Sequence, residues 1–202
     1  MCSNIARQAI YNSQQQIIAY ELLFREGCCD SFPDIESEVA TVSILDGLFH
    51  EGTVGIQYIS DGLPCFVNFC HQSLIQGIAF NYPPEDLVIE VLENCEANAV
   101  LYKALEDLKS HGYQIAFDDF VPSPDWLPFL RLADIVKIDF RAQSLQEISQ
   151  FVNKYRKRFD FKLLAEKIET EEEYRVAIAL GFDYFQGFQL SKPERIFFSH
   201  VA

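Results

Sequence analysis

Basic residues are scarce in this sequence: 16 Lys and Arg stand against 30 Asp and Glu, a formal net charge of −14. Duplex nucleic acid and anionic membrane surfaces are held through basic patches, so neither a nucleic-acid polymer nor a membrane is expected as the main partner. One small nucleotide held through metal ions is compatible with that balance. The six cysteines are Cys2, Cys28, Cys29, Cys65, Cys70 and Cys95. None form a Cys-x-x-Cys pair, no His–Cys cluster has zinc spacing, and they read as free thiols in a reducing compartment. The four histidines, His50, His71, His111 and His200, are scattered and read as surface or core residues. No apolar run reaches membrane-spanning length. Met1-Cys2-Ser3-Asn4 lacks the basic-then-apolar order of a signal peptide, so a cytoplasmic location is expected. A glycine-rich phosphate loop, internal repeats, linkers and low-complexity segments are also missing.

What is present is apolar and aromatic: 49% hydrophobic residues, with 18 Phe and 9 Tyr, in 202 residues. That suffices for one well-cored domain and is short for two. A single domain over 1–202 is therefore expected. Stretches 5–11 and 16–24 read as strands, and the short Asn12-Ser13-Gln14 turn makes them antiparallel neighbours. A third strand covers 63–69. Further strands are predicted over 86–92, 114–119, 134–139, 161–166 and 183–186. Helices are predicted over 36–51, 97–110, 144–158 and 170–180, with short helical stretches at 72–77 and 124–132. Residues 26–33 read as a loop, 52–62 as irregular and 188–202 as a tail. Thr170 and Glu173 stand at capping-box positions. Trp126 and Phe129, at helical spacing, read as packing. Glu171-Glu172-Glu173 reads as a helix N-terminus favoured by the dipole. Eight strands, the later ones separated by helices, imply parallel strands closing into a TIM-type (β/α)8 barrel. The length is below the roughly 250 residues usual for that fold, which requires lean loops. An open doubly wound sheet is the alternative.

The polar residues fall at strand ends. Glu21 lies late in the second strand, Asn68 ends the third, and Glu90 with Glu93 ends the fourth. Asp118 and Asp119 end the fifth, Lys137 and Asp139 the sixth, Glu166 with Glu169 the seventh, and Gln186 the eighth. In a closed parallel barrel these ends share one mouth, where catalytic groups gather. Oxygen-rich clusters suit Mg²⁺, Mn²⁺ or Ca²⁺ rather than zinc. Several acids at one mouth repel one another unless metal ions or protons relieve them. Four or more can hold two ions, an arrangement that favours in-line displacement at phosphorus. Each acid alone also fits a blander role: Asp139 could cap the turn after its strand, and Glu93 and Glu169 could orient ligands rather than bind metal.

In order along the chain, the segments Tyr20-Glu21-Leu22-Leu23-Phe24-Arg25, Val67-Asn68-Phe69, Ile89-Glu90-Val91-Leu92-Glu93, Phe117-Asp118-Asp119-Phe120, Val136-Lys137-Ile138-Asp139, Ala165-Glu166-Lys167-Ile168-Glu169-Thr170, Phe185-Gln186-Gly187-Phe188 and Ser191-Lys192-Pro193 carry a resemblance. The chain resembles the EAL domain, the bacterial phosphodiesterase domain that cleaves cyclic di-GMP to linear pGpG in second-messenger signalling. The resemblance implies a modified TIM-type barrel with an antiparallel early strand. It implies Glu21, Asn68, Glu90 and Asp118 as ligands of one metal, and Asp118, Asp119 and Glu166 around a second. Lys137 is implied as the residue that contacts and activates the water, and Glu93 as the acid that holds the loop after Asp119. Arg25 is implied as a substrate-phosphate contact, and Gln186 and Glu169 as supporting residues near water or base. Asp139 is placed with this substrate group. Mg²⁺ or Mn²⁺ is the implied cofactor, with Ca²⁺ inhibitory, and cyclic di-GMP the implied ligand.

Three departures from the family pattern stand out. The signature triplet reads Glu21-Leu22-Leu23 instead of Glu-Ala-Leu. The loop after Phe120 reads Val121-Pro122-Ser123 where a Gly-Thr-Gly-type run is usual; in the family that loop links metal binding to dimerisation and activation. Lys167 follows Glu166 where glycine is usual, and 26–62 matches poorly. These features resemble the subgroup in which an EAL domain precedes an HDOD domain, so a homodimer, a longer chain and an HDOD domain within it are expected. Three functions are compatible with these residues: the phosphodiesterase, a non-catalytic cyclic di-GMP receptor or interaction module, and another metal-dependent barrel enzyme such as a lyase acting on a phosphorylated metabolite.

Overall fold

A computed structural model describes residues 5–25, 41, 44–45 and 55–196. The chain begins with a hairpin, β1 (Ile5–Asn12) and β2 (Ile17–Phe24), antiparallel in register Gln8↔Glu21. Its turn is set by the Asn12 side chain, whose Oδ1 accepts from the Gln14 and Gln16 amides. Such local side-chain bonding is why asparagine favours turns. β3 (Cys65–Phe69), β4 (Leu87–Val91), β5 (Gln114–Phe117), β6 (Ile135–Asp139), β7 (Lys162–Glu166) and β8 (Tyr184–Phe185) come next, each parallel to the strand before it. β1 then pairs antiparallel with β8, and this closes the ring. The fold is thus a closed eight-stranded barrel whose first strand runs against the rest. A short β9 (Glu194–Arg195) also pairs with β1, beside Ala6 and Arg7.

The helices lie between strands. Those whose bounds are described are α1 (Gly55–Ile59), α2 (His71–Ile75), α3 (Ala99–Ser110), α4 (Leu145–Tyr155) and α5 (Glu171–Ala179), with 3-10 turns at Ile78–Asn81 and Leu127–Arg131. Residues 55–59, expected to be irregular, form α1, and the tail contributes β9. The expected 124–132 helix is a 3-10 turn instead, opened by a proline in its first turn. The helix predicted over 36–51 lies outside the described residues except for Thr41, Ile44 and Leu45, which are helical and buried. No helix among the described residues is long and apolar enough to cross a membrane. Both long C-terminal helices carry complete capping boxes, Ser144 with Glu147 and Thr170 with Glu173.

The barrel interior explains where the polar residues go. Its floor is an apolar layer of Ile10, Ala19, Phe66, Val88, Ala116, Ile135 and Leu164. Side chains of a strand alternate between faces with period two. Two residues beyond each floor residue of β2 to β7 the chain carries Glu21, Asn68, Glu90, Asp118, Lys137 and Glu166, and two beyond Tyr184 it carries Gln186. One pleat repeat therefore lifts each of β2 to β8 from an apolar floor to a polar layer. The intervening residues Val67, Ile89, Val136 and Ala165 belong to the large outer core under the helices.

Candidate metal centre and active site

Lys137 stands at the middle of the polar layer, fully buried. Its Nζ lies 2.7 Å from Asp118 Oδ1, 2.8 Å from Glu166 Oε1 and 3.9 Å from Glu21 Oε1, and it touches Glu90 Oε1 more closely still. Burial alone would depress the lysine, but Asp118, Glu166, Glu90 and Glu21 overcome it and hold the ammonium well above its ordinary pKa. Burial also pushes the Glu90 and Glu166 carboxyls well above the usual carboxylate range; Lys137 opposes this, while Asp118 and Glu21 add to it. One ammonium cannot neutralise four carboxylates. The layer is short of positive charge.

It is short of hydrogen-bond donors too. Among the described residues, the buried Asn68 Oδ1, both Glu90 oxygens and Glu166 Oε2 have no hydrogen-bond partner. Leaving buried polar atoms unpaired costs about 1–3 kcal/mol each. Glu21 is the better satisfied acid: Gln186 Nε2 donates to its Oε2 at 2.7 Å. Asp118, Asp119 and Glu166 each bring one oxygen within 4.8 Å of the others. An all-oxygen donor set with unpaired buried oxygens and excess negative charge fits hard divalent cations.

Above this layer opens a cavity of about 380 Å³. Glu21, Asp118, Asp119, Glu166 and Gln186 form part of its walls, and Arg25, Arg141, Lys167, Glu169, Phe188 and Pro193 line the rest with Gln8, Leu23 and Gly187. Acids at the base and cations at the sides suit a phosphodiester approaching bound metal. Glu169 is paired to Arg141 at 2.6 Å. Asp139 is not among the cavity's lining residues. Its Oδ1 accepts from the Arg141 and Ala142 amides at 2.5 and 3.1 Å, and its Oδ2 meets Lys167 Nζ at 2.5 Å. Both oxygens are thus engaged in capping and ion pairing, the blander of the two roles read for it.

The Asp119–Phe120–Val121 segment turns out of β5 beside a second cavity of about 370 Å³, whose lining includes Leu92, Glu93, Phe117 and Trp126. Glu93 is exposed there and forms no hydrogen bond to the loop among the described residues. The loop is pinned by other groups. The Phe120 amide donates to Lys137 O at 2.9 Å, Gln143 Nε2 donates to Phe120 O at 3.0 Å, and the Phe120 ring packs against Phe117 and Phe151. Sequence reading missed Gln143, Arg141 and the contacts of Lys167, because each reaches the site from the residues after a strand and not from a strand end.

A family model described as EAL domain matches residues 66–193. The cyclic di-GMP phosphodiesterase CdgJ of Vibrio cholerae serotype O1 is 39% identical over 198 residues, covering 95% of this chain and 44% of that protein. YuxH of Bacillus subtilis is 35% identical over 197 residues, covering 95% of this chain and 47% of its own length. The chain thus spans less than half the length of these curated relatives. Among solved structures, the EAL-domain protein YkuI of Bacillus subtilis, in complex with cyclic di-GMP and calcium, superposes with a TM-score of 0.70 at 23% identity, over 97% of this chain and 57% of that one.

Proposed function

The chain belongs to the EAL-domain family, and on that premise we propose that it is a divalent-cation-dependent phosphodiesterase that opens cyclic di-GMP to linear pGpG. The observation that carries this reading is the polar layer itself: Glu21, Glu90, Asp118 and Glu166 gathered on the buried Lys137, beneath a cavity walled by Arg25 and Arg141. The activity for which CdgJ is named supports the choice of substrate. Glu21, Asn68, Glu90 and Asp118 would hold one Mg²⁺ or Mn²⁺, and Asp118, Asp119 and Glu166 a second. When bound, such ions supply charge neutralisation at the phosphate and a more acidic water.

The chain's own groups do the rest. Lys137 offsets part of the repulsion among the acids and sets its ammonium between them. Gln186 fixes the rotamer of Glu21 through its 2.7 Å hydrogen bond. Arg25 and Arg141 flank the cavity as phosphate contacts, with charge-assisted donors suited to phosphoryl oxygens. The expected homodimer, and an HDOD domain in a longer chain, belong to the same reading. Size-exclusion chromatography with light scattering tests the first. A cytoplasmic location is part of the reading as well.

The test is turnover of cyclic di-GMP by purified protein with Mg²⁺, Mn²⁺ and Ca²⁺ in turn, wild type beside Glu21→Ala. Release of pGpG with Mg²⁺ or Mn²⁺ that is lost in the variant is the expected result. No release by the wild type, or equal release by both, sinks the reading. A non-catalytic cyclic di-GMP receptor is favoured by one feature, the Val121-Pro122-Ser123 loop, in which Val121 is 61% exposed. Calorimetric binding of cyclic di-GMP with no turnover would decide for it.

A further inference from the structure

Residue 167 sits in left-handed backbone, φ 56°, where a side chain carries strain that glycine avoids. This chain places a lysine there, and its ammonium has definite partners. Nζ lies 2.5 Å from Asp139 Oδ2 and 3.4 and 3.2 Å from the Asp119 oxygens. Asp139 is buried, and its other oxygen is committed to the Arg141 and Ala142 amides. Withdrawing the ammonium would leave Asp139 Oδ2 as a buried charge without a counterion, which is costly. Asp139 lies outside the oxygen set suited to metal. It therefore holds Lys167 in place whether or not that set is occupied.

Asp119 is also one of the three acids whose oxygens converge within 4.8 Å. The other two, Asp118 and Glu166, are held by Lys137 on their inner side. The trio is thus bracketed by two ammoniums, whereas among the described residues Glu21 and Glu90 pair with Lys137 and no second ammonium.

We propose that Lys167 is a tethered counter-cation, anchored by Asp139, that weakens uptake of a divalent ion at Asp118, Asp119 and Glu166 relative to the ion at Glu21, Asn68, Glu90 and Asp118. This rests on the metal-dependent reading above. A like charge a few ångströms from an ion lowers its affinity by roughly tenfold or more at the dielectric of a partly buried site. The two positions then fill at separate cation concentrations, and the domain responds to divalent-ion supply between a half-loaded and a fully loaded state.

The test is calorimetric titration of Mn²⁺ into metal-free protein, comparing the wild type with Lys167→Gly and Asp139→Asn. Lys167→Gly removes both the charge and the strain; Asp139→Asn keeps an acceptor for the two amides and releases the ammonium. The wild type is expected to take up Mn²⁺ in two separated steps. In Lys167→Gly the second step tightens by roughly tenfold or more and the first is unchanged; Asp139→Asn moves the second step the same way by less. Equal second-step affinities in wild type and Lys167→Gly overturn the inference and leave the metal-dependent reading standing. No Mn²⁺ uptake by any of the proteins overturns both. Should Lys167→Gly fail to fold, Lys167→Asn, which tolerates the same backbone, decides by the same criterion.

Discussion

A Cβ placed on Gly187 would lie 2.1 Å from the carbonyl oxygen of Ile168 and 2.3 Å from its nitrogen. No side chain fits there. The same crossing is tied by hydrogen bonds from Ile168 N to Gln186 O and from Gln189 N to Ile168 O. It fixes the chain that carries Glu166 and Lys167 against the chain that carries Gln186, the residue bonded to Glu21. Gly187→Ala is expected to cost about 3 kcal/mol of stability through overpacking and to abolish turnover. Urea denaturation together with a cyclic di-GMP assay checks both, and an unchanged midpoint would contradict the close approach.

Lys137 is the only ammonium in contact with four acids of the polar layer among the described residues. Lys137→Met leaves those acids facing one another. Breaking a buried pair in this way costs about 3–5 kcal/mol. Because the variant keeps the oxygen set, Mn²⁺ should restore more stability to it than to the wild type. Thermal melts with EDTA and with Mn²⁺ measure the difference; an equal gain in the two proteins would count against the pairing.

Metal loading should itself be visible in melting curves. A ligand that binds only the folded state, at a hundredfold excess over its Kd, stabilises by about 2.7 kcal/mol. Mn²⁺, Mg²⁺ and Ca²⁺ are each expected to raise the Tm relative to EDTA, with only Mn²⁺ and Mg²⁺ supporting pGpG release. Ca²⁺ turnover at the Mn²⁺ rate would refute the expected inhibitory role.

Away from the site, Asp183 joins β7 to the helices. Its oxygens lie 2.6 and 2.9 Å from Arg156 and accept from the Leu163 amide at 2.8 Å. Burial would raise this carboxyl, but the Arg156 hydrogen bonds, the Leu163 amide and the charges of Arg156 and Lys162 win, holding it below its ordinary value of 3.8. A folded pKa below the unfolded one gives stability that is complete above 3.8 and is lost as pH falls through the depressed value. Asp183→Asn should therefore cost about 2 kcal/mol at neutral pH, and the gap to wild type should shrink in acid. Denaturation at several pH values tests the slope as well as the size.

Ser144 closes the N-terminus of α4 by accepting from the Glu147 amide, while the Glu147 carboxylate accepts from the Ser144 amide. Ser144→Ala is expected to lose about 1 kcal/mol. Guanidinium denaturation of the two proteins gives this number directly.

Much of this was legible in the sequence. Every strand of the ring was expected within a few residues of its place, because apolar runs ended in turn residues or in acids. The antiparallel first strand was readable from Asn12, a residue that makes its own turn. The gathering of Glu21, Glu90, Asp118 and Glu166 was readable from strand polarity alone. What escaped was tertiary. The five residues of α1 hold too little periodicity to announce a helix, and β9 exists only because Ala6 and Arg7 are there to pair with Glu194 and Arg195. The capping by Asp139 was one of the two roles read for it, but its pairing with Lys167 was not, since nothing local joins residues 28 apart. Gln143 carried no signal, its partner being a carbonyl 23 residues away.

β1 pairs with β2 on one side and with β8 and β9 on the other. The first strand of the ring is therefore also its last seam, and Arg7 meets Glu194 across a separation of 187 residues. During synthesis the hairpin can form early, but the cylinder stays an open sheet with two bare edges until residues near 184–195 have left the ribosome. Contacts of such long sequence separation slow folding, and bare edges invite pairing with other chains. A chain cut short before β8 would thus be a sticky open sheet rather than a looser barrel, and loss of β8 and β9 should be read out as aggregation.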